Sequence, residues 1–222
     1  MSIKTIRKKL VNRIFNKRIA SLYSSRFRKY GPAPFSVLWF NGERQLKRFE
    51  IIADGISRAG FTPSDTIIDF GCGYGAFLEF LHKYKQLLPA HYYGLDLSTE
   101  MINFCQRKYR SKRVSFLKKN DLDFDGGFAV ISGAFGRAAT PDVSLWESYV
   151  FSNLVKIWSH TKKAMVFNFQ YTASSESKIS SDRIYYISLD RLSYVLEAIG
   201  GSSNLIYDRS IPNDITVISR HV

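Results

Sequence analysis

Two acids and a set of glycines are spaced so that they could hold a positively charged ligand. Asp69 ends a short β-branched apolar run, and Gly71, Gly73 and Gly75 follow at alternate positions before an amphipathic segment. Glycine tolerates positive φ and, having no Cβ, lets a ligand lie against the backbone. The third glycine comes one residue earlier than in the dinucleotide pattern, and a carboxylate here would repel a pyrophosphate. These residue types therefore favour a cationic cofactor.

A second acid, Asp96, lies 25 residues after Gly71. It ends another apolar run and precedes Ser98, a residue type that caps helices. In α/β nucleotide sites a carboxylate at this offset accepts hydrogen bonds from both ribose hydroxyls. Together the two acids predict a site for a nucleoside that carries a positive charge.

The elements that position these acids follow from hydrophobic period and from breaker residues. Thr66 to Leu81 predicts a strand, a tight turn and a helix, and that helix is expected to continue to about Leu88. Elsewhere apolar alternation, caps and Gly or Pro breaks predict helices over 41–59, 143–160 and 188–199, and strands over 91–98, 114–117, 164–171, 204–210 and 214–220. Residues 128–136 are predicted to form the fourth strand and its exit loop. Alternating strands and helices indicate an α/β fold with helices on both faces of a sheet.

Length and composition are consistent with one catalytic body. The chain has 222 residues and 45% apolar content, enough for a substantial core. It shows neither an apolar run of membrane-spanning length nor a signal peptide, so we expect a cytoplasmic protein, with the inner face of the membrane as an alternative location. Two cysteines and four scattered histidines argue against disulfides and predict no metal site.

The net charge of +13 is concentrated in the first 30 residues, which contain ten basic and no acidic side chains. We divide the chain into a basic amphipathic extension over residues 1–30 and a catalytic domain over 31–222. The extension has two neighbouring apolar stripes, Ile3, Ile6, Leu10, Ile14 and Val11, Phe15, Ile19, Leu22. One interpretation is a helix that docks on its own domain and closes the cofactor site. The other is a surface for an anionic partner, either a membrane surface or RNA.

Residues 21–222 resemble a group of bacterial class I S-adenosylmethionine-dependent methyltransferases associated with polysaccharide and small-molecule biosynthesis. The similarity rests on short motifs: Tyr30-Gly31 followed by Trp39, Gln45-x-x-Arg48-Phe49, Asp69-Phe70-Gly71-Cys72-Gly73, Ser132-Gly133-x-Phe135, Phe167-Asn168-Phe169 and Tyr185-Tyr186. It implies a three-layer Rossmann-like fold whose seven-stranded mixed sheet has its last strand antiparallel, here with an N-terminal helical extension. It also implies S-adenosyl-L-methionine as the cofactor. The family usually has Asn after Phe135, where this chain has Gly136.

The residues and the resemblance together give a candidate site. Arg48 would pair with the methionyl carboxylate and Gln45 would hydrogen-bond it, while Asn120, Asp121 and Leu122 occupy the place of the adenine contacts. The predicted cofactor-binding residues are Gln45, Arg48, Asp69, Gly71, Cys72, Gly73, Asp96, Leu97, Asn120, Asp121, Leu122 and Ser132. The predicted substrate contacts are Phe135, Asn168, Tyr171, Tyr185 and Tyr186.

The predicted activity is direct in-line methyl transfer to a small-molecule or carbohydrate-like acceptor. Ser132-Gly133-Ala134-Phe135 does not match the motif of enzymes that methylate base amino groups. Two alternatives stay open: an RNA methyltransferase that uses the basic extension, and a non-catalytic scaffold that binds S-adenosylmethionine. The sequence assigns no general base, acceptor or oligomeric state.

Overall fold

The computed structural model describes residues 3–83, 87–119 and 122–222. Nine strands form one sheet: β1 (Thr66–Phe70), β2 (His91–Asp96), β3 (Val114–Lys118), β4 (Gly126–Ile131), β5 (Thr161–Thr172), β6 (Lys178–Ile179), β7 (Tyr185–Ser188), β8 (Ser202–Tyr207) and β9 (Asp214–Arg220). The first five strands run parallel in the order β3-β2-β1-β4-β5. Their carboxyl ends therefore meet along one edge of the sheet, where open α/β folds bind ligands.

The second half of the sheet contains the antiparallel strand that the sequence predicted. β9 pairs with β5 along Ala164–Gln170 and with β8 on its other side, antiparallel in both cases. The predicted seven-stranded mixed sheet with an antiparallel last strand is thus present in strands β1 to β5, β8 and β9.

Two further strands were not predicted. β7 runs parallel to β5 over its last three residues, and β6 pairs antiparallel with β7. The sequence analysis placed no strand between residues 171 and 188, because a two-residue strand such as β6 is too short to show alternation.

Six helices are described: α1 (Ile3–Tyr30), α2 (Gly42–Arg58), α3 (Ala76–Lys83), α4 (Thr99–Lys108), α5 (Val143–Ser159) and α6 (Leu189–Ile199), with a 3₁₀ turn at Pro34–Val37. Asn41, Ser98, Asp142 and Ser188 cap α2, α4, α5 and α6 through side-chain acceptors. Each cap accepts from an otherwise unpaired backbone N–H in the first turn, which explains where these helices begin.

The sheet separates two apolar cores, because successive side chains on a strand point to opposite faces. Ile67 packs with α2, α3 and α4 on one face, and Ile68 packs with α5 and α6 on the other. The same alternation continues along β4. The helices thus pack on both faces of the sheet.

The N-terminal helix α1 packs on the body of the protein. Phe15 is 4% exposed and lies against the rings of Trp146 and Tyr149 on α5. Nearer its end, the hydroxyls of Ser24 and Ser98 are 2.9 Å apart at the start of α4. Helix α1 therefore spans from α5 to α4, above the carboxyl ends of the strands.

The docked stripe of α1 includes Phe15 and Ile19, whereas Ile6, Leu10 and Ile14 are each more than 40% exposed. The structure therefore has α1 docked on its own domain, which is the first of the two interpretations of the basic extension. None of the helices in the described part of the chain has both the length and the apolar character that a membrane crossing requires.

Candidate functional site

A cavity opens at the carboxyl ends of β1, β2 and β4. Nine of the predicted site residues line it: Gln45, Asp69, Gly71, Cys72, Gly73, Asp96, Leu97, Ser132 and Phe135. The structure thus brings the glycine turn, both acids and the loop after β4 around one space.

The glycine turn is the floor of this cavity. The amides of Gly71 and Cys72 both donate to the Leu95 carbonyl, at 2.8 and 3.0 Å, which ties the turn to β2. Gly71 has φ +80°, and a Cβ built on it would lie 2.6 Å from the Cβ of Ala134. Glycine is required here both by the backbone conformation and by the close approach of the loop after β4.

Asp69 is 2% exposed at the end of β1 and accepts a hydrogen bond from the hydroxyl of Tyr92. Burial raises the pKa of Asp69 to about 7; the Tyr92 hydrogen bond opposes this shift and the nearby Asp96 adds to it. A buried acid poised near neutrality gains most from a cationic ligand, because that ligand favours its ionised form.

Asp96 is held in place by two backbone amides. Its Oδ2 accepts from Gly73 N at 3.0 Å and its Oδ1 accepts from Ser98 N at 2.7 Å. Burial raises its pKa, while these amide hydrogen bonds act in the opposite direction. The carboxylate therefore connects the glycine turn to the start of α4 and presents its remaining lone pairs to the cavity.

Gln45 lines the cavity, but Arg48, one turn further along α2, does not. Arg48 is 5% exposed, and its Nε donates to Asp214 Oδ2 at 2.7 Å. Its guanidinium carbon also lies 4.4 Å from the centre of the Trp39 ring. The structure thus pairs Arg48 with a carboxylate of the protein, and its pairing with a cofactor carboxylate stays a prediction.

The predicted adenine contacts are only partly within the described chain. Asn120 and Asp121 lie outside the described residues. Leu122 is 6% exposed and packs in the core beside α5, and it does not line the cavity. On the side where the adenine contacts were predicted, the cavity is lined by Leu97 and Lys119. Leu97 was predicted from the sequence, whereas Lys119 was not.

The loop after β4 forms the opposite wall. The amide of Gly133 donates to Asn168 Oδ1 at 2.9 Å, and Asn168 itself is 3% exposed. The Asn168 side chain therefore lies behind the loop, where it positions the backbone of Gly133. Phe135 faces the cavity and also packs on Phe70 and Tyr149.

The three predicted substrate tyrosines do not line the cavity. Tyr185 is fully buried, and its hydroxyl donates to Glu147 Oε1 at 3.0 Å, so it is a core residue rather than a substrate contact. Tyr171 packs against Tyr207, and Tyr186 lies beneath the Lys178 ammonium. The strand period of β7 places Tyr185 inward against α5, which a pair of adjacent tyrosines does not reveal by itself.

Residues that the sequence did not assign form the roof of the cavity. Ile19 and Tyr23 of α1 lie there, together with Val37, Trp39 and Tyr149. Burial raises the pKa of Tyr23 to about 12, with a further contribution from Asp96, so its hydroxyl stays protonated. The sequence feature that could have identified them is their spacing: Ile19 and Tyr23 are four residues apart and so lie on one face of α1.

Both cysteines are unpaired and buried. Among residues 3–83, 87–119 and 122–222, no cluster of three or more His, Cys, Asp or Glu side chains is arranged to hold a metal ion. The polar groups that line the cavity among the described residues include carboxylates, hydroxyls, an amide, the Lys119 ammonium and backbone groups.

Comparison with known proteins agrees with this geometry. A family profile for the methyltransferase domain matches residues 67–144, which include both acids and the loop after β4. A Mycobacterium tuberculosis protein assigned as a methyltransferase, Rv1506c, is 26% identical over 122 residues, covering 54% of this chain and 72% of that protein. A fatty-acid O-methyltransferase of Mycolicibacterium smegmatis is 33% identical over 57 residues, 26% of this chain and 20% of that protein.

Solved structures share the fold at low identity. Magnesium protoporphyrin IX methyltransferase from Synechocystis PCC 6803, crystallised with S-adenosylmethionine, superposes with a TM-score of 0.64 at 15% identity, covering 96% of this chain and 97% of that one. CalS10, an amino pentose methyltransferase from Micromonospora echinaspora, gives a TM-score of 0.59 at 14% identity, covering 89% and 96%. At this level of identity the similarity establishes the fold.

Proposed function

We propose that this chain, a class I S-adenosylmethionine-dependent methyltransferase, methylates a small-molecule acceptor by direct in-line transfer. The observation that carries the acceptor class is the roof formed by α1. Ile19 and Tyr23 lie over the cavity, and the helix is fastened at both ends of that span. A cavity covered in this way favours a small acceptor over a nucleotide within a folded polymer.

The cavity residues fit the parts of S-adenosylmethionine. Asp69 would face the ammonium, the glycine turn would lie against the methionine and ribose, and Asp96 would accept the ribose hydroxyls. The cofactor supplies an activated methyl group on a sulfonium. A site whose described lining contains two acids near the glycine turn and one basic residue, Lys119, suits a ligand that carries positive charge.

The protein residues then contribute mainly by orientation. Placing acceptor and donor in line is worth roughly 7 to 11 kcal/mol when the geometry is tight. Tyr23 stays protonated at neutral pH and can donate a hydrogen bond to the acceptor. Asp69 and Asp96 are assigned to the cofactor. The proposal therefore contains no general base, and it favours an acceptor atom that is already nucleophilic.

An experiment with labelled cofactor tests this function. The full chain is incubated with methyl-deuterated S-adenosylmethionine, once with a fractionated pool of small metabolites and once with total RNA, and the products are analysed by mass spectrometry. We expect deuterated methyl groups only in the small-molecule fractions, and we expect an Asp96→Ala chain to remove them. Labelling of RNA alone would contradict the proposal.

RNA methylation is the second candidate, because α1 presents exposed Lys8, Lys9, Arg13 and Lys17 to solvent. Such a face suits an anionic partner, whether RNA or a membrane surface. Charge reversal at Lys9, Arg13 and Lys17 separates the two candidates. Small-molecule methylation should be unchanged, whereas RNA methylation would fall with a loss of salt-dependent RNA binding.

A further inference from the structure

A second cleft, of about 530 Å³, lies beside the cofactor cavity and shares a wall with it. Ile19 and Tyr23 line both spaces. The second cleft is also lined by Arg18, Arg137 and Arg183, and none of the described residues in its lining is acidic. The two clefts are therefore adjacent but opposite in charge.

The three arginines come from distant parts of the chain. Arg18 belongs to α1, Arg137 follows the loop after β4, and Arg183 is in the connection between β6 and β7. Two backbone hydrogen bonds join the last two segments: Ala138 N donates to the Arg183 carbonyl at 2.8 Å, and Tyr185 N donates to the Gly136 carbonyl at 2.9 Å. The fold thus fixes the backbones that carry two of the guanidinium groups.

The guanidinium groups keep most of their donors free of protein acceptors. Arg18 Nη1 donates to the Ala139 carbonyl at 3.1 Å, and Arg137 Nη1 donates to the Asp182 carbonyl at 2.6 Å. Within the part of the chain that the structure describes, none of the three forms an ion pair with a carboxylate. Three neighbouring positive charges repel one another, and an anion between them would offset that repulsion.

Arg183 also has an unusual backbone. Its φ is +63°, in the left-handed region that is costly for residues other than glycine. Glycine would fit this turn without strain. The turn itself does not require a long cationic side chain at this position. An arginine here, beside two other arginines, therefore indicates a role for the Arg183 side chain in binding.

We infer that this arginine cleft (Arg18, Arg137 and Arg183) binds a phosphate or carboxylate group of the methyl acceptor, and so selects anionic small molecules. The inference rests on the proposed function, because it places the acceptor between the cleft and the methyl group. The anionic group would sit among the three guanidiniums, and the rest of the acceptor would pass Tyr23 into the cofactor cavity. Arginine is suited to both groups because its planar fork can bind two oxygens at once.

The first test uses simple anions on the full chain saturated with S-adenosylhomocysteine. Inorganic pyrophosphate and succinate are titrated separately by calorimetry, so that the two arms distinguish phosphate from carboxylate. We expect saturable binding of at least one probe. Arg137→Gln and Arg183→Gly should each weaken it by about tenfold, the size expected for loss of a charge-assisted hydrogen bond.

Arg107→Gln is the matched control. Arg107 is exposed on α4, so this substitution removes one positive charge at a position outside the cleft. Arg183→Gly has its own internal control. It relieves the left-handed strain, so its melting temperature should equal or exceed that of the wild type while anion binding falls. If neither probe binds, or if binding is unchanged in both variants, the inference is wrong.

A further readout separates this inference from the proposed function. S-adenosylhomocysteine affinity should be unchanged in Arg137→Gln and Arg183→Gly. If an acceptor is methylated and its KM is unaffected by these variants, the cleft is not an acceptor site although the function stands. If the anions bind at the cleft but only RNA is methylated, the proposed function fails while an anion site remains.

Discussion

The two sides of the cavity are built in different ways. On the cofactor side, Asp69, the glycine turn and Asp96 are close in sequence to the strands that position them, and their partners are backbone amides or the next strand. On the acceptor side, Ile19 and Tyr23 of α1 meet the loop after β4, which begins more than 100 residues later in the chain. The cofactor side is held by contacts within neighbouring strand–turn–helix units, whereas the acceptor side is held by contacts between distant segments. Substitutions on the two sides should therefore have different effects on stability and binding.

The largest effect is expected at the junction of the two sides, where Arg48 is buried against Asp214. Arg48→Met leaves the buried Asp214 with the more distant Arg44, whose Nη2 lies 3.7 Å from Asp214 Oδ2, and removing one member of a buried ion pair costs up to about 3 to 5 kcal/mol. Chemical denaturation measures the loss. Arg48→Met with Asp214→Leu should recover most of it, since the two substitutions remove both charges together.

Arg48 also offers a way to sharpen the comparison, because the sequence assigned it to the cofactor. Arg48→Lys keeps the charge and is assayed with S-adenosylmethionine and with its decarboxylated analogue. Equal weakening of both ligands assigns Arg48 to the support of the acceptor wall. A loss confined to the carboxylate-bearing cofactor assigns it to cofactor binding.

Gly71→Ala tests the contact between the glycine turn and the loop after β4. The left-handed conformation costs about 1 to 2 kcal/mol for alanine, and the overlap with Ala134 adds about 1 to 3 kcal/mol. Gly60→Ala is the matched control, because Gly60 has φ +82° with nothing within 4 Å of its Cβ position. If urea denaturation gives equal losses for the two variants, Ala134 does not constrain the turn.

The pKa of Asp69 predicts how cofactor binding depends on pH. Because this pKa is about 7 in the folded protein, the acid is largely protonated at pH 6 and ionised at pH 8. Affinity for S-adenosylmethionine should therefore rise across this window. The slope should disappear in Asp69→Asn, whose affinity at pH 8 should be about tenfold weaker, as expected for loss of a charged contact. Calorimetry at several pH values tests this, and an unchanged slope would refute the role.

The contribution of Asp69 to the free energy of unfolding should fall as pH rises, whereas its contribution to cofactor affinity should increase. The folded-state pKa of Asp69 is raised above its unfolded value of 3.8, so its contribution to stability is fully present below 3.8 and is lost as pH rises through about 7. In the absence of ligand, Asp69→Asn should thus be more stable than the wild type at pH 8. Thermal unfolding at pH 5 and pH 8 measures this difference.

The smallest effect is expected where α1 fastens to α4. Ser24→Ala removes the buried hydrogen bond to Ser98, which costs about 1 kcal/mol. Hydrogen exchange should show faster opening of α1 over residues 19–30, with little change in β1 and β2. Ser25→Ala, at an exposed neighbouring position, is the control, and equal exchange in both variants would show that this hydrogen bond does not hold the roof.

Much of the cofactor side was predictable because its chemistry is local. A strand that ends at Asp69, glycines with positive φ and a capped helix after Asp96 each have a signature within a few residues. The helix limits were predicted within about two residues where caps or prolines define them, as at Asn41 and Gly31. The β6–β7 hairpin was missed because strand pairing, rather than its own pattern, creates it.

The sequence by itself determined the fold class and the cofactor, and it predicted the two acids that line the cavity, because these features depend on backbone geometry and charge within single strand–turn–helix units. Tertiary structure alone decided which stripe of α1 is docked, that Arg48 has a protein partner, that Tyr185 is in the core, and that three arginines share a cleft. These features depend on contacts between segments far apart in the chain. No local period specifies such contacts, since they form only when the sheet brings its carboxyl ends together.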